Sequence, residues 1–152
     1  MKTTLLVISI ANPILIGLYK DGSLIETIKS QEKTSDILPT IVDEILKKES
    51  LNEIIYVNGP GSYMSIKIAY IFLKTLSITL EADFLALSGF DLNQNSPIKA
   101  LGKKYFYKDE NGKINLRFLE DGEIIEPFSL PQKIDYSLCL QDTLPNYQLP
   151  AV

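Results

Sequence analysis

Gly59-Pro60-Gly61-Ser62-Tyr63, set between the apolar run Ile54 to Val57 and the long apolar segment Met64 to Leu80, is the stretch on which the fold turns. It predicts a strand, a tight glycine turn and a helix. Glycine at both ends of the turn permits positive φ and close backbone approach, Pro60 fixes the φ of a central residue, and Ser62 is placed to cap the helix. Such a turn points free backbone N–H groups at whatever sits above it. Gly59, Pro60, Gly61 and Ser62 are therefore candidates for an anion- or nucleotide-proximal turn. A plain strand-to-helix connector with an N-cap would have the same sequence.

Working outward, Thr4 to Ile10, Ile14 to Lys20 and Leu24 to Lys29 are β-branched runs, with Asp21-Gly22 as a hairpin turn between the last two. Three antiparallel strands thus open the chain. A helix capped by Thr34 or Ser35 follows, with Pro39 in its early turns and one apolar face formed by Ile37, Leu38, Ile41, Val42, Ile45 and Leu46. Ile54 to Val57 is a short, fully apolar strand, Met64 to Leu80 a second helix, and Asp83 to Leu87 a last strand. The order is βββαβαβ.

Composition is that of one soluble domain: 152 residues, 45% hydrophobic and 22% charged, are enough to bury a core. A net charge of −4 argues against a nucleic-acid surface acting alone, because phosphate backbones demand a basic face. The single cysteine, Cys139, precludes an internal disulfide and fits a reducing cytoplasm. Leu5 to Ile10 lacks the length and cleavage pattern of a signal peptide. Lys67 and Lys74 interrupt Met64 to Leu80, which falls short of a membrane span. The chain contains no histidine, which removes Ser-His-Asp and Cys-His catalysis and nearly every catalytic zinc site. Most of the 19 acidic residues, such as Asp43, Glu44, Asp109 and Glu110, sit where a solvated face is the simpler reading.

Gly59-Pro60-Gly61-Ser62-Tyr63-Met64-Ser65-Ile66-Lys67-Ile68 resembles the Gly-Pro-Gly-Ser-Phe-Thr-Gly-Leu-Arg-Ile signature of the TsaB (YeaZ) family, whose members take part in making threonylcarbamoyladenosine in tRNA. Upstream, Glu32-Lys33-Thr34-Ser35-Asp36-Ile37-Leu38-Pro39 is similar to that family's Glu-His-Thr-x-x-Leu-Leu-Pro. The resemblance covers residues 4 to 90, thins from Ser88 to Phe118 and is absent beyond. It implies an α/β fold: an actin-like, sugar-kinase-like ATPase (ribonuclease H-like) lobe of order βββαβαβ at residues 1–90, then a reduced, partly irregular second lobe at 91–152. It also implies a divergent, shortened member.

The second helix carries the functional expectation. Its apolar residues occupy an arc of roughly 260° at 100° per residue, whereas covering one sheet takes an arc of about 100° or somewhat more. The surplus must be covered by the rest of the chain or by a partner. TsaB proteins pair through their two helices, with the catalytic TsaD subunit or with a second copy of themselves. The resemblance therefore implies a partner interface drawn from Ile37, Ile41, Ile45, Ile66, Tyr70 and Leu73. The sequence leaves open which of Ile66, Tyr70 and Leu73 faces outward.

Departures from the family bear on chemistry. Val7-Ile8-Ser9 stands where the family's first strand has an Asp-Thr pair, so no carboxylate remains there to hold a metal or orient a water. Lys33 replaces a histidine, Met64-Ser65 replace Thr-Gly, and Ala69 and Thr75 fall where glycines let helices approach closely. Leu101 to Tyr107 is distantly similar to the family's Asp-Ala-Arg-x-Gly-Glu-Val-Tyr strand, again without the aspartate. Asp109-Glu110-Asn111-Gly112 turns into Lys113 to Leu119, and Asp121-Gly122 turns the chain into Glu123 to Ile125. Lys99, Lys103, Lys104 and Lys108 with Tyr105 and Tyr107 form a basic, aromatic patch that is either a solvated strand face or a nucleic-acid face. From Glu126 to Val152, Pro127, Pro131, Pro145 and Pro150 predict an extended or loosely attached segment.

The expected function is that of a non-catalytic cytoplasmic scaffold, a pseudo-enzyme without catalytic residues, metal or cofactor. It would support a TsaD-like catalytic subunit, with a TsaE-like ATPase as a further candidate partner, and would be a homodimer when alone. It would meet tRNA only through the complex and would not meet a membrane. The alternatives are a degenerate enzyme of the same superfold, kinase or protease, and a self-associating interaction module.

Overall fold

The computed structural model describes residues 1–148. Strands β1 (Thr3–Ile8), β2 (Ile14–Lys20), β3 (Ser23–Ser30), β4 (Glu53–Val57) and β5 (Asp83–Leu87) form one sheet in the order β3-β2-β1-β4-β5, with helices α1 (Thr34–Leu46) and α2 (Tyr63–Leu80) between them in sequence. The β1–β2 and β2–β3 pairs are antiparallel, whereas β1–β4 and β4–β5 are parallel. This is the expected βββαβαβ order.

β1 and β4 are buried along their whole length, which is why both read as unbroken runs rather than alternating ones. Their side chains divide by parity. Leu5, Val7, Ile54 and Tyr56 face the helices and meet Leu38, Val42, Ala69 and Leu73. Leu6, Ile8, Ile55 and Val57 face the other way, toward Phe90, Ile98, Phe106 and Ile134. The edge strand β3 alternates, half-buried against exposed.

The second layer on that other face is small. β6 (Ile98–Lys99), β7 (Lys104–Lys108) and β8 (Ile114–Phe118) form an antiparallel sheet in that order, and Phe106 is its fully buried plug. The Asp121-Gly122 turn forms, with Gly122 at φ +78°, but Glu123–Ile125 is not a strand. Glu123 instead folds inward: its carboxylate accepts from the Tyr107 hydroxyl, the Glu120 N–H and Arg117.

Two helix caps differ from expectation. α1 begins at Thr34 with Lys33 in the cap position, and α2 has Ser62 there, but neither makes a side-chain capping bond. Thr34, the other expected cap, is buried as the first residue inside the helix. α2 has the length and composition of a membrane span, and one face of it, Ile66, Ala69, Leu73 and Ser77, is buried against the sheet and α1.

The described part of the proline-rich segment is largely extended, apart from a 3₁₀ turn at Tyr136–Leu138, and it is tied down. Leu24 N–H donates to the Gln132 carbonyl and Ile134 N–H to Gly22, while Leu140 and Ala86 exchange both backbone hydrogen bonds at the β5 edge. Pro150 and the remainder of 149–152 lie outside the described residues.

Candidate functional site

The glycine turn sits at the C-terminal ends of β4 and β5, where ligands enter open α/β sheets. Gly59 has φ +127°, and a Cβ there would run into the Asn146 carbonyl oxygen. A Cβ on Gly61 would lie 2.8 Å from Ile10 Cβ. Both glycines are therefore required by close backbone approach. What approaches Gly59 is the chain itself.

Residues 140–148 form a strap across this end of the sheet. Asn146 N–H donates to the Asn58 carbonyl at 2.8 Å, the Asn58 amide reaches the Leu144 carbonyl, and the Tyr56 hydroxyl donates to the Thr143 carbonyl. The rings of Tyr147 and Tyr63 lie 4.2 Å apart between centroids. Gly59 is thus covered by the strap, and Pro60 beside it is buried. Ser62 is exposed and opens on the opposite side, toward a cleft of about 720 Å³ between the first sheet and the small one. The four turn residues do not act as a single open cradle. Val7, Ile8 and Ser9 are buried and bring no acid to the turn. Among the described residues no three His, Cys, Asp or Glu side chains come together as a metal site.

The expected partner interface is divided by the structure. Ile41, Ile45, Ile66 and Leu73 are in the core, with Ile66 and Leu73 fully buried, and so present nothing to a partner. Ile37 and Tyr70 are half-buried against the same core. The correction follows from helix phase: Ile66, Ala69 and Leu73 recur at three and four residues and point to the sheet, so the exposed apolar residues are Met64 (58%), Ile71 (54%) and Ile78 (67%). An apolar groove of about 470 Å³ runs along this face, bounded by Ile68, Ile71, Phe72, Thr75, Leu76 and Thr79. The hydroxyls of Thr75 and Thr79 donate back to the carbonyls of Ile71 and Thr75, which commits their one proton to the helix itself. The described residues leave this part of the apolar arc exposed.

The basic, aromatic patch is split as well. Along β7, Tyr105 and Tyr107 face one way and Lys104, Phe106 and Lys108 the other. Arg117 lies 3.2 Å over the Tyr107 ring, and Lys104 stands over Phe118. These aromatics are occupied within the chain.

One polar cluster gave no sequence signal. Glu53, at the start of β4 and almost wholly buried, accepts from the Thr4 hydroxyl (3.0 Å) and the Tyr136 hydroxyl (2.6 Å), and its second oxygen meets Lys2 at 2.8 Å. Hydrogen bonding to Glu53 raises the pKa of Lys2. Burial, then the hydrogen bond to Glu53, raises that of Tyr136. The partners are 49 and 83 residues away from Glu53, so no local pattern could reveal them. A buried carboxylate so fully bonded joins the C-terminal segment to the sheet and is spent as a chemical group. Cys139, nearby, has its thiol pushed up to about 11 by burial, with the carboxylates of Glu53 and Asp135 adding to the effect. At pH 8 the folded protein should therefore react with a thiol reagent about a hundredfold more slowly than an ordinary cysteine. Alkylation followed by mass spectrometry should show this protection vanish in denaturant.

No protein-family model and no curated protein sequence matches the chain. Solved structures do. YeaZ from Pseudomonas aeruginosa superposes with a TM-score of 0.56 at 18% identity, covering 86% of this chain and 71% of that one. The fold is that of YeaZ. A second structure, described as an uncharacterized protein with similarity to peptidase YEAZ from Pseudomonas aeruginosa, gives a TM-score of 0.56 at 17% identity over 85% of this chain. The chain spans 65% of that protein's length. The likeness extends past the two sequence motifs, since coverage of this order must include elements beyond residue 90.

Proposed function

We propose that this chain is a TsaB-like subunit of the bacterial machinery that makes threonylcarbamoyladenosine in tRNA, a non-catalytic scaffold that supports a TsaD-like catalytic subunit. Its first lobe is an actin-like, ribonuclease H-like ATPase lobe, and its second lobe is the reduced one that the weak sequence resemblance after Ser88 implies. The observation that carries the reading is the uncovered apolar face of α2 on a YeaZ fold. An apolar groove flanked along the helix by exposed Met64 and Ile78, with Ile71 in its wall, is costly in water and is the kind of surface that partners cover. The outward side of α1, with Asp36, Pro39, Asp43 and Glu44, is exposed and largely acidic. A partner would therefore present an apolar centre to α2 and basic residues toward α1.

A peptidase or kinase reading has little to draw on. The sequence has no histidine, Cys139 is held protonated, and β1 offers no acid for a metal–nucleotide complex. The isolated chain should accordingly bind Mg-ATP weakly or not at all and should not hydrolyse it. Calorimetric titration giving micromolar affinity, with turnover lost on Ser62→Ala, would overturn the non-catalytic reading.

The test of the scaffold role is affinity capture of the tagged chain from its native cells, followed by identification of what comes down. A TsaD-like subunit retained by the natural chain and lost with Ile71→Asp is the expected result. If Ile71→Asp breaks that pairing while threonylcarbamoylation of tRNA in cells continues undiminished, the function is wrong even though the fold is right.

A further inference from the structure

The cleft of about 720 Å³ has two unlike walls. The first comes from the β1–β2 turn, Leu15 on β2, Lys29 on β3 and Ser62 at the head of α2. Close approach of Gly61 to Ile10 sets Ser62 beside that turn, and Leu15 is the ladder partner of Lys29, so their side chains stand on the same face. The second wall, Ile98, Tyr105, Ile125 and Phe128, belongs to the small sheet and the segment after it, and it is mainly apolar, with Lys99, the Tyr105 hydroxyl and Glu126 as its polar groups.

The polar groups on the first wall are unspent. Among the described residues, the Lys29 ammonium, the Ser62 hydroxyl and the Asn12 amide make no side-chain hydrogen bond or ion pair. The other ionisable groups facing the cleft are Lys99, Glu126 and Tyr105. Lys99 is engaged, donating to the Gly102 carbonyl at 3.1 Å and lying over the Tyr105 ring. Two lysines against one glutamate leave a single net positive charge. A volume of this order, apolar walls and a few convergent polar groups are the usual make-up of a small-molecule site.

We propose that the cleft binds an apolar monoanion, a medium-chain or aromatic carboxylate, with the carboxylate on Lys29 and Ser62 and the apolar body against Ile98, Ile125 and Phe128. A metal–nucleotide fits poorly by comparison. Its metal needs carboxylates and its phosphates need several cations, whereas this cleft has one glutamate, on the apolar wall's side, and one uncommitted lysine.

Calorimetric titration of the intact chain with decanoate tests this. Saturable binding at one site is expected, weakened about tenfold by Lys29→Ala and by replacing decanoate with neutral decanol, since a charged hydrogen bond is lost in each case. Ile125→Glu, at a position 38% exposed, should abolish binding by placing a second carboxylate in the cleft. Ser62→Glu, also at an exposed position, is the second such variant should Ile125→Glu fail to fold. Ile71→Asp, on the far face of α2, should leave decanoate binding unchanged even as it breaks self-association. The proposal is overturned by absence of saturable binding, by equal affinity for decanol, by Mg-ATP binding more tightly than decanoate, or by insensitivity to both glutamate variants. Loss of binding with Ile71→Asp would place the ligand on α2 and overturn it too. None of these readouts depends on a partner subunit, so the cleft and the scaffold role stand or fall separately.

Discussion

Leu73→Asp should yield no folded protein, whereas Ile71→Asp, two residues away on the same helix, should fold normally and lose its ability to associate. Leu73 is fully buried among Tyr56, Val42 and Ala69 in the helix-side core, so an aspartate there loses a leucine's burial and strands a charge, at a cost of several kcal/mol. That is comparable with the whole stability of a domain this size. Ile71 is 54% exposed, and aspartate there meets water. Its effect on the isolated chain should stay within about 0.5 kcal/mol, the usual range for surface substitutions. Thermal denaturation and light scattering read the two effects apart. The natural chain should scatter as a homodimer at high concentration and Ile71→Asp as a monomer, because the surface that would take a heteromeric partner is the one available for self-pairing. A natural chain that stays monomeric at millimolar concentration would remove self-association from the account. A folded Leu73→Asp would contradict the helix phase itself.

The contrast also shows what can be read from the chain alone. The strands of the first sheet, both helices and their order were legible because each carries its own periodicity: β1 and β4 are continuous runs since both faces are covered, and α1 has a single stripe. The glycine turn was legible as a turn because its two glycines and proline are local signals. What covers it was not. The strap meets Gly59 through the Asn146 backbone carbonyl, which any residue at 146 would supply, and Tyr63 meets Tyr147 from 84 residues away. Side-chain phase on α2 was only half legible, since a helix apolar over most of its circumference does not say which stripe the sheet takes. Ile66 and Leu73 look no different in sequence from Ile71 and Ile78. Glu53 illustrates the same limit from the polar side, for its three partners come from the first few residues and from the distant C-terminal segment.

Gly59→Ala should destabilise the chain by about 2–4 kcal/mol, through two costs that fall on the same atom. The first is conformational: φ +127° is open to glycine and strained for alanine. The second is steric, because the new methyl would occupy the space of the Asn146 carbonyl oxygen and crowd Ile66 Cδ1 at 3.2 Å. The backbone of β4 is fixed by β1 and β5 on either side, so the strap is the part that gives way. Its withdrawal would take the acceptor from the buried Tyr56 hydroxyl and the aromatic partner from Tyr63. Limited proteolysis should then cut within residues 140–148 of Gly59→Ala under conditions that spare the natural chain. Tyr147→Ala, which leaves the turn untouched, should loosen the strap with a smaller loss of about 1 kcal/mol for the aromatic pair. A Gly59→Ala protein as stable as the natural one, with residues 140–148 equally resistant to protease, would mean that the strap does not rest on the glycine turn.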